Sequence, residues 1–263
     1  MYLWVLAAVI IASCTNGCSS ATKDDKDSTK VESKVLSAEG IYNNTINKVA
    51  MIISYKEGIP YSQGSGFFID KNTLVTNFHC VAGADKVEFK IAGNEKVYKG
   101  AKVVKASDDY DLAIIKTKQD FPFVKIDSLG KEKVGSKIYV IGNPRGLEGT
   151  ISDGILSGKR DNDGTEYLQI TAPINPGNSG GPVLNSKGEV IGVATFTFRN
   201  SQNLNFAMPI KYINECKDIV DIHPNKIAKI GHNNDAVAMT SYVKDEDSYD
   251  AYFSLKITLK SAE

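Results

Sequence analysis

Short runs of apolar residues recur along most of the chain and are separated by Gly, Asn and Asp. Val, Ile, Phe and Tyr dominate these runs, which follow one another about every ten residues. Many short, regularly spaced strands are typical of β-barrels and β-sandwiches. A Pro- and Gly-marked break at residues 121–135 divides the runs into two sets of six. The predicted strands are 49–54, 64–70, 73–77, 86–90, 97–106, 112–116, 137–142, 151–157, 166–171, 182–184, 190–198 and 205–208.

A different pattern closes this region. The apolar residues of segment 210–220 have helical spacing, which predicts a C-terminal helix. Beyond it, residues 236–242 and 251–259 resemble two strands around an acidic turn. We therefore predict one all-β domain over residues 41–221 and a short β appendage over residues 222–263, for which the sequence suggests no role.

The N-terminus has the pattern of a targeting segment. Residues 2–12 are almost wholly apolar, which is too short to cross a hydrocarbon core of about 30 Å but suits a signal peptide. The residues that follow (IASC, 11–14) resemble the lipobox of bacterial lipoproteins. This interpretation predicts lipid attachment at Cys14 and anchoring in the cell envelope, on the periplasmic or the outer surface. The alternative is an ordinary secretory signal with an incidental cysteine.

Residues 15–40 are mostly Ser, Thr, Asn, Lys and Asp. Such a segment buries too little apolar surface to offset its ordering entropy, so it is predicted to be a flexible tether that follows the signal peptide of residues 1–14.

Composition excludes several functions. The 31 basic residues balance the 31 acidic ones, so no basic face is predicted to hold a nucleic acid. The four cysteines and three histidines have no spacing typical of metal ligands. The sequence therefore predicts no bound metal and no other cofactor.

One glycine-rich segment, NPGNSGGP at residues 175–182, has the composition of a nucleophile turn. The glycines allow a sharp turn that exposes the hydroxyl of Ser179, and the backbone N–H groups of Gly177, Asn178 and Ser179 are candidates for an oxyanion hole. Composition alone would equally fit a plain Gly/Pro/Asn turn.

Two further residues complete a candidate site. His79 follows a predicted strand, and Asp111 begins an otherwise apolar one. A lone aspartate entering a buried strand is costly unless it is hydrogen-bonded, and a histidine N–H would be a suitable partner. Read singly, His79 could be a core histidine and Asp111 a turn residue. Together with Ser179 they follow the chain order His, Asp, Ser of the chymotrypsin triad.

The motifs TNFHC (76–80), DLAII (111–115) and NPGNSGGP closely resemble those of HtrA/Deg-type serine proteases of the trypsin-like superfamily. GNP (142–144) and NFAMP (205–209) are similar to further family segments, and the resemblance covers roughly residues 41–215. It implies two six-stranded antiparallel β-barrels with a cleft between them. It also implies a serine endopeptidase that cleaves proteins or peptides, in which His79 is the base, Asp111 its partner and Ser179 the nucleophile.

Two departures from the family pattern change the expectations. Fewer than fifty residues follow Cys216, so no PDZ domain is predicted, and an oligomer typical of the family remains only an option. Cys80 follows the histidine, yet the strand that would carry its disulfide partner reads GSGFF. Cys80 is therefore predicted to be a buried free thiol.

Matching the trypsin-like pattern also suggests a specificity pocket without charged residues. Such a pocket would accept a small or medium aliphatic side chain, and the substrate backbone would add as a strand along residues 204–206. Two alternatives are a catalytically silent, surface-tethered binding module and a protease that rests with a collapsed oxyanion loop. The predicted pocket residues are Ala172, Pro173, Ile174, Thr195, Phe196, Leu204, Asn205 and Phe206.

Overall fold

A computed structural model describes residues 35–127, 129–144, 148–198 and 204–219, together with the backbone of residues 236–238. The signal peptide, Cys14 and the predicted strand at 251–259 lie outside the described residues. Within the described part, no helix is both long enough and apolar enough to cross a membrane.

The first described element is helix α1, Ala38–Thr45. Its N-cap is Ser37, whose hydroxyl accepts a hydrogen bond from the N–H of Gly40 at 3.1 Å. The helix buries Ile41 completely in the core that α1 shares with both barrels. Residues 35–40, the end of the predicted tether, are therefore ordered, because a cap and a buried side chain hold them.

The first barrel is formed by six antiparallel strands. They pair in the order β5-β4-β1-β2-β3-β6, and pairing of β5 with β6 closes the barrel. Phe68, Phe89 and Leu74 are among its fully or almost fully buried residues. The strands are β1 Val49–Lys56, β2 Ile59–Asp70, β3 Thr73–Thr76, β4 Lys86–Ile91, β5 Val97–Ser107 and β6 Leu112–Lys116.

The second barrel follows a short strand β7, Lys125–Ile126, and pairs in the order β11-β8-β9-β10-β13-β12, with β11 and β12 closing it. β7 pairs with β12 in parallel, and β15, Ala236–Ala238, pairs with β12 antiparallel. The strands of the barrel are β8 Lys137–Gly142, β9 Thr150–Asn162, β10 Thr165–Ile170, β11 Pro182–Asn185, β12 Glu189–Phe198 and β13 Asn205–Pro209.

The prediction of two six-stranded antiparallel barrels is confirmed, and all twelve predicted strands occur. The predicted C-terminal helix at 210–220 is present as a shorter 3-10 helix. A 3-10 helix spans Ile210–Glu215, and strand β14, Lys217–Asp218, then pairs with β5 of the first barrel. Of the apolar residues that suggested the helix, Ile210 is buried, and Ile213 and Ile219 are half-buried. Of the predicted appendage, the structure describes only the strand β15.

Candidate active site

His79 and Asp111 form a close pair in the first barrel. Nδ1 of His79 lies 2.6 Å from Oδ2 of Asp111, and the backbone N–H of His79 donates to Oδ1 at 2.9 Å. Both residues are buried, with less than a tenth of their surface exposed. Oδ2 therefore orients the ring and requires Nδ1 to carry a proton, while Oδ1 ties the carboxylate to the backbone of His79.

The backbone of Asp111 is also held in place. Its φ of 50° lies in the left-handed region, which non-glycine residues seldom occupy. Its carbonyl accepts hydrogen bonds from the N–H of Phe78 at 3.1 Å and from Nδ2 of Asn77 at 2.8 Å. These bonds join the end of β3 to the start of β6 and stabilise an uncommon backbone conformation beside a polar site.

Electrostatics of the pair favour a charged imidazole. Burial by itself would lower the pKa of His79, because a desolvated imidazolium is disfavoured. The carboxylate of Asp111 outweighs this effect, with a smaller contribution from Cys80, and raises the pKa of His79 well above its ordinary value. The site can therefore accept a proton on His79 and stabilise the resulting cation.

Ser179 lies on a tight turn between β10 and β11, and it is fully buried, so the predicted exposure of its hydroxyl is wrong. The N–H of Asn178 donates to the carbonyl of Asn175 at 2.9 Å, and Gly177 has a φ of 99°. These are the features of a type II turn, in which the third residue must be glycine or asparagine. Because the N–H of Asn178 is used inside the turn, Gly177 and Ser179 are the better candidates among the three predicted oxyanion donors.

The turn packs directly against the first barrel. The N–H of Ser65 in β2 donates to the carbonyl of Ser179 at 2.7 Å. Gly180 has a φ of 86°, and a Cβ there would collide with the carbonyl of Ser65 and the hydroxyl of Thr76. Glycine is therefore required at this position by both conformation and space.

The hydroxyl of Ser179 donates to the carbonyl of Thr195 in β12 at 3.2 Å. Nε2 of His79 is buried and has no hydrogen-bond partner among the described residues. The structure therefore brings His79 together with Asp111, and seats the Ser179 turn beside them, without a described hydrogen bond between the hydroxyl and the imidazole. Apo active sites commonly show such loose geometry, and a rotation about the Cα–Cβ bond of Ser179 redirects its hydroxyl.

Ser65 has a role that the sequence reasoning missed. Its hydroxyl donates to the carbonyl of Gly177 at 2.6 Å and accepts from the N–H of Asn143 at 2.9 Å. Asn143 in turn donates from Nδ2 to the carbonyl of Ala50 at 3.1 Å. One serine thus connects the glycine turn that carries Ser179 to both barrels. A single hydroxyl between two glycines in a buried strand was the available signal.

The predicted pocket stretches meet in the second barrel. Nδ2 of Asn205 donates to the carbonyl of Ala172 at 2.9 Å, and Phe196 pairs with Phe206 across β12 and β13. Ala172, Ile174, Thr195, Phe196, Asn205 and Phe206 are buried, whereas Leu204 is half-buried and Pro173 is exposed. The structure therefore brings the three stretches together, although the side chain of Pro173 faces solvent.

The expectation of a substrate strand along residues 204–206 is wrong. Asn205 and Phe206 of β13 already pair with β10 on one side and β12 on the other, so neither edge offers unpaired backbone groups. β11 leaves the C-terminal end of β12, residues 196–198, uncovered, and this stretch of the edge pairs with the three-residue strand β15.

Cys80 and Cys216 are both free and buried, which confirms the prediction for Cys80. The Sγ atom of Cys80 lies 3.7 Å from the carbonyl oxygen of Ser179, and that of Cys216 lies 3.8 Å from the carbonyl oxygen of Leu112. Burial raises the pKa of the Cys216 thiol to about 11. The described residues contain no group of three or more His, Cys, Asp or Glu side chains that could hold a metal ion.

Comparison with known proteins gives consistent results. The family model of the trypsin-like peptidase domain matches residues 64–193. A probable periplasmic serine endoprotease, DegP-like, from Rhizobium meliloti (strain 1021) is 39% identical over 172 residues, which are 62% of this chain and 33% of that protein. The putative serine protease HhoB of Synechocystis sp. is 38% identical over 158 residues, which are 56% of this chain and 38% of that protein.

Solved structures agree with these sequence matches. The HtrA-type protease AlgW, solved with a tripeptide, has a TM-score of 0.63 and 28% identity, covering 68% of this chain and 62% of that one. The serine endoprotease of Yersinia pestis has a TM-score of 0.61 and 26% identity, covering 69% of this chain and 66% of that one. The chain spans about a third of the length of the curated relatives it matches.

Proposed function

We propose that this chain, whose residues 64–193 match the trypsin-like peptidase domain and which is similar to DegP-like and HtrA-type serine endoproteases, is a serine endopeptidase whose nucleophile is Ser179. The observation that carries the proposal is the His79–Asp111 pair, with an unpartnered Nε2, beside a serine on a glycine turn. Such a site combines a base from the first barrel with a nucleophile and backbone hydrogen-bond donors from the second barrel.

In the proposed reaction, the hydroxyl of Ser179 turns from the Thr195 carbonyl toward Nε2 of His79 and attacks the substrate carbonyl. His79 takes the hydroxyl proton and later gives it to the leaving amine, while Asp111 keeps Nδ1 protonated and stabilises the imidazolium. The N–H groups of Gly177 and Ser179 would bind the oxyanion. Water then hydrolyses the acyl-enzyme by the same proton route.

Labelling with a fluorophosphonate probe tests the nucleophile directly. We expect the parent chain to be labelled and Ser179→Ala to be unlabelled. Ser186→Ala, in the turn between β11 and β12, serves as the matched control and should label as the parent does. Equal labelling of Ser179→Ala and the parent contradicts the proposal, and no labelling of any form, with casein also left intact, favours the silent binding module instead.

The proposed substrates are unfolded or exposed protein segments with a small or medium aliphatic residue before the cut. The support is a pocket region of buried Ala, Ile and Phe residues in which none of the eight predicted positions is charged. An apolar pocket discriminates by only about 1–3 kcal/mol per methylene, so we expect a broad preference. Profiling of cleavage sites on a denatured proteome tests this, and a dominant Arg, Lys or Glu before the cut contradicts it.

The proposed location is the cell envelope, with a lipid anchor at Cys14. The support is the lipobox-like sequence at residues 11–14 and the word periplasmic in the names of several relatives. In a bacterium that lipidates proteins, the full chain should partition into detergent, and Cys14→Ser should abolish this, whereas Cys18→Ser should not. Identical fractionation of Cys14→Ser and the parent contradicts the anchor.

A further inference from the structure

The strand β12 borders the candidate nucleophile and changes its partner along its length. Its N-terminal half pairs with β11, from Val190 to Val193. Thr195 lies two residues further along β12, and its carbonyl accepts a hydrogen bond from the hydroxyl of Ser179. Beyond Thr195, the edge of β12 that faces away from β13 pairs antiparallel with β15. The opposed residues are Phe196 with Ala238, Thr197 with Val237 and Phe198 with Ala236.

This edge is the place where a substrate backbone can add as a strand. β13 is paired on both sides, and β11 covers the N-terminal half of β12. Of the strand edges described beside Ser179, the one at residues 196–198 is held by the three-residue strand β15 alone. Adding a strand to such an edge is a general mode of peptide recognition, because main-chain hydrogen bonds provide the affinity.

From this arrangement we infer that residues 236–238 are an intramolecular occupant of the peptide-binding edge, which competes with substrate until it is displaced. The inference rests on the proposed function. It names the chain's own C-terminal segment as the regulator of that site.

Three observations favour an occupant over a permanent part of the barrel. The second barrel is already closed by β11 and β12, so β15 is not needed for closure. The pairing of β15 is only three residues long, which makes displacement feasible. Its sequence, Ala-Val-Ala, consists of the small aliphatic residues that the proposed pocket accepts.

Replacing main-chain donors tests the inference in the full-length chain. In an antiparallel pair, alternate N–H groups face the partner strand, so one of Val237 and Ala238 donates toward β12. Val237→Pro with Ala238→Pro removes that donor whichever residue supplies it. The matched control, Val237→Thr with Ala238→Ser, keeps both N–H groups and a similar side-chain volume.

Three readouts are expected to change together in the proline variant. The kcat/KM for an unstructured peptide rises on the order of tenfold, mainly through KM, as for a site that is open in one molecule of ten before the change. The amide protons among residues 196–198 that face β15 lose protection from hydrogen exchange, while those of β1 and β2 keep it and show that the fold is intact. A synthetic peptide with the sequence of residues 234–241 (NDAVAMTS) raises KM again when added to the variant.

Repeating the binding and exchange measurements in the Ser179→Ala background separates this inference from the proposed function. There, affinity for a fluorescent unstructured peptide should rise about tenfold in the proline variant and stay unchanged in the Thr/Ser control. Equal peptide affinity and equal exchange of residues 196–198 in both variants overturns the inference, even if the enzyme is an active protease. Absence of proteolysis in every form overturns the proposed function alone.

Discussion

In the first barrel, hydrogen bonds to both carboxylate oxygens and to the backbone carbonyl of Asp111 hold His79 and Asp111 in place. The His79–Asp111 hydrogen bond is already formed in the structure. The second barrel holds Ser179, which is buried, on a glycine turn, where its hydroxyl donates to the carbonyl of Thr195 and the edge of β12 beyond Thr195 pairs with β15. The proposed base is thus held by several hydrogen bonds within the first barrel, whereas the proposed nucleophile lies on a turn beside a strand edge that pairs over only three residues. Control of such a site is expected to act on the second barrel.

The largest expected effect comes from removing a reacting group on either side. Ser179→Ala and His79→Ala should each lower kcat for casein or a peptide on the order of a million-fold, as for the corresponding changes in subtilisin. Because the two groups act as one unit, the double variant should lose no more than either single variant. Thermal unfolding checks that each variant is folded. Undiminished proteolysis by purified Ser179→Ala would show that Ser179 and His79 do not act together in the reaction.

The second effect tests the preorganised first barrel. Asp111→Asn should reduce kcat about ten-thousandfold, as in the chymotrypsin template, because the amide no longer selects the reactive tautomer. The raised pKa of His79 also sets a pH dependence. The base must be neutral, so activity of the parent is lost as pH falls through a midpoint above the ordinary histidine value of 6.5.

Asp111→Asn removes the main cause that raises the pKa, so this midpoint should move to lower pH. The pH profile of kcat/KM measures it with a sensitive fluorogenic substrate. An unchanged midpoint in Asp111→Asn would mean that the carboxylate does not control the charge of His79. The first barrel would then not set the properties of the proposed base.

The third effect concerns the bond between the barrels. Ser65→Ala leaves the carbonyl of Gly177 and the N–H of Asn143 without their hydroxyl partner. An unpaired buried group costs about 1–3 kcal/mol, so we expect kcat/KM to fall roughly ten- to a hundredfold, chiefly in kcat, with a comparable loss of unfolding free energy.

Ser62→Ala is the matched control for Ser65→Ala. Ser62 lies in the same strand and is equally buried, but its hydroxyl has no hydrogen-bond partner among the described residues. Its replacement should leave activity unchanged and stability equal or higher. If both alanine variants behaved alike, Ser65 would be a packing residue only and the turn would not depend on the first barrel.

The sequence predicted the barrels well, because strand spacing and the break at 121–135 are local features, and two of the three site residues, His79 and Asp111, meet as expected. Contacts between distant elements were not predictable in the same way. The link from Ser65 to Gly177 joins residues 112 positions apart, and neither residue indicates the other. The same limit explains the error at residues 204–206, since an apolar pattern does not tell which edge of a strand is already paired.

The helix predicted at 210–220 is shorter and tighter than expected for a related reason. Apolar residues at helical spacing identify which side chains are buried, but they do not distinguish an α-helix from a short 3-10 turn that leads into a strand. Pairing of Lys217 and Asp218 with β5 decided the outcome, and that partner lies in the other barrel.

The smallest expected effect distinguishes the two buried thiols. Cys80→Ala and Cys216→Ala each remove one buried sulfur atom and should each cost about 1 kcal/mol of unfolding free energy. The thiol of Cys80 contacts the carbonyl of Ser179, whereas that of Cys216 contacts the carbonyl of Leu112. Because Cys80 contacts the turn that carries the proposed nucleophile, Cys80→Ala should also lower kcat a few-fold, whereas Cys216→Ala should not. Reductant should leave the parent unchanged, since both thiols are unpaired. Thermal unfolding and initial rates are measured on the same preparations. Equal initial rates for the two variants would mean that the Ser179 turn does not depend on its contact with Cys80.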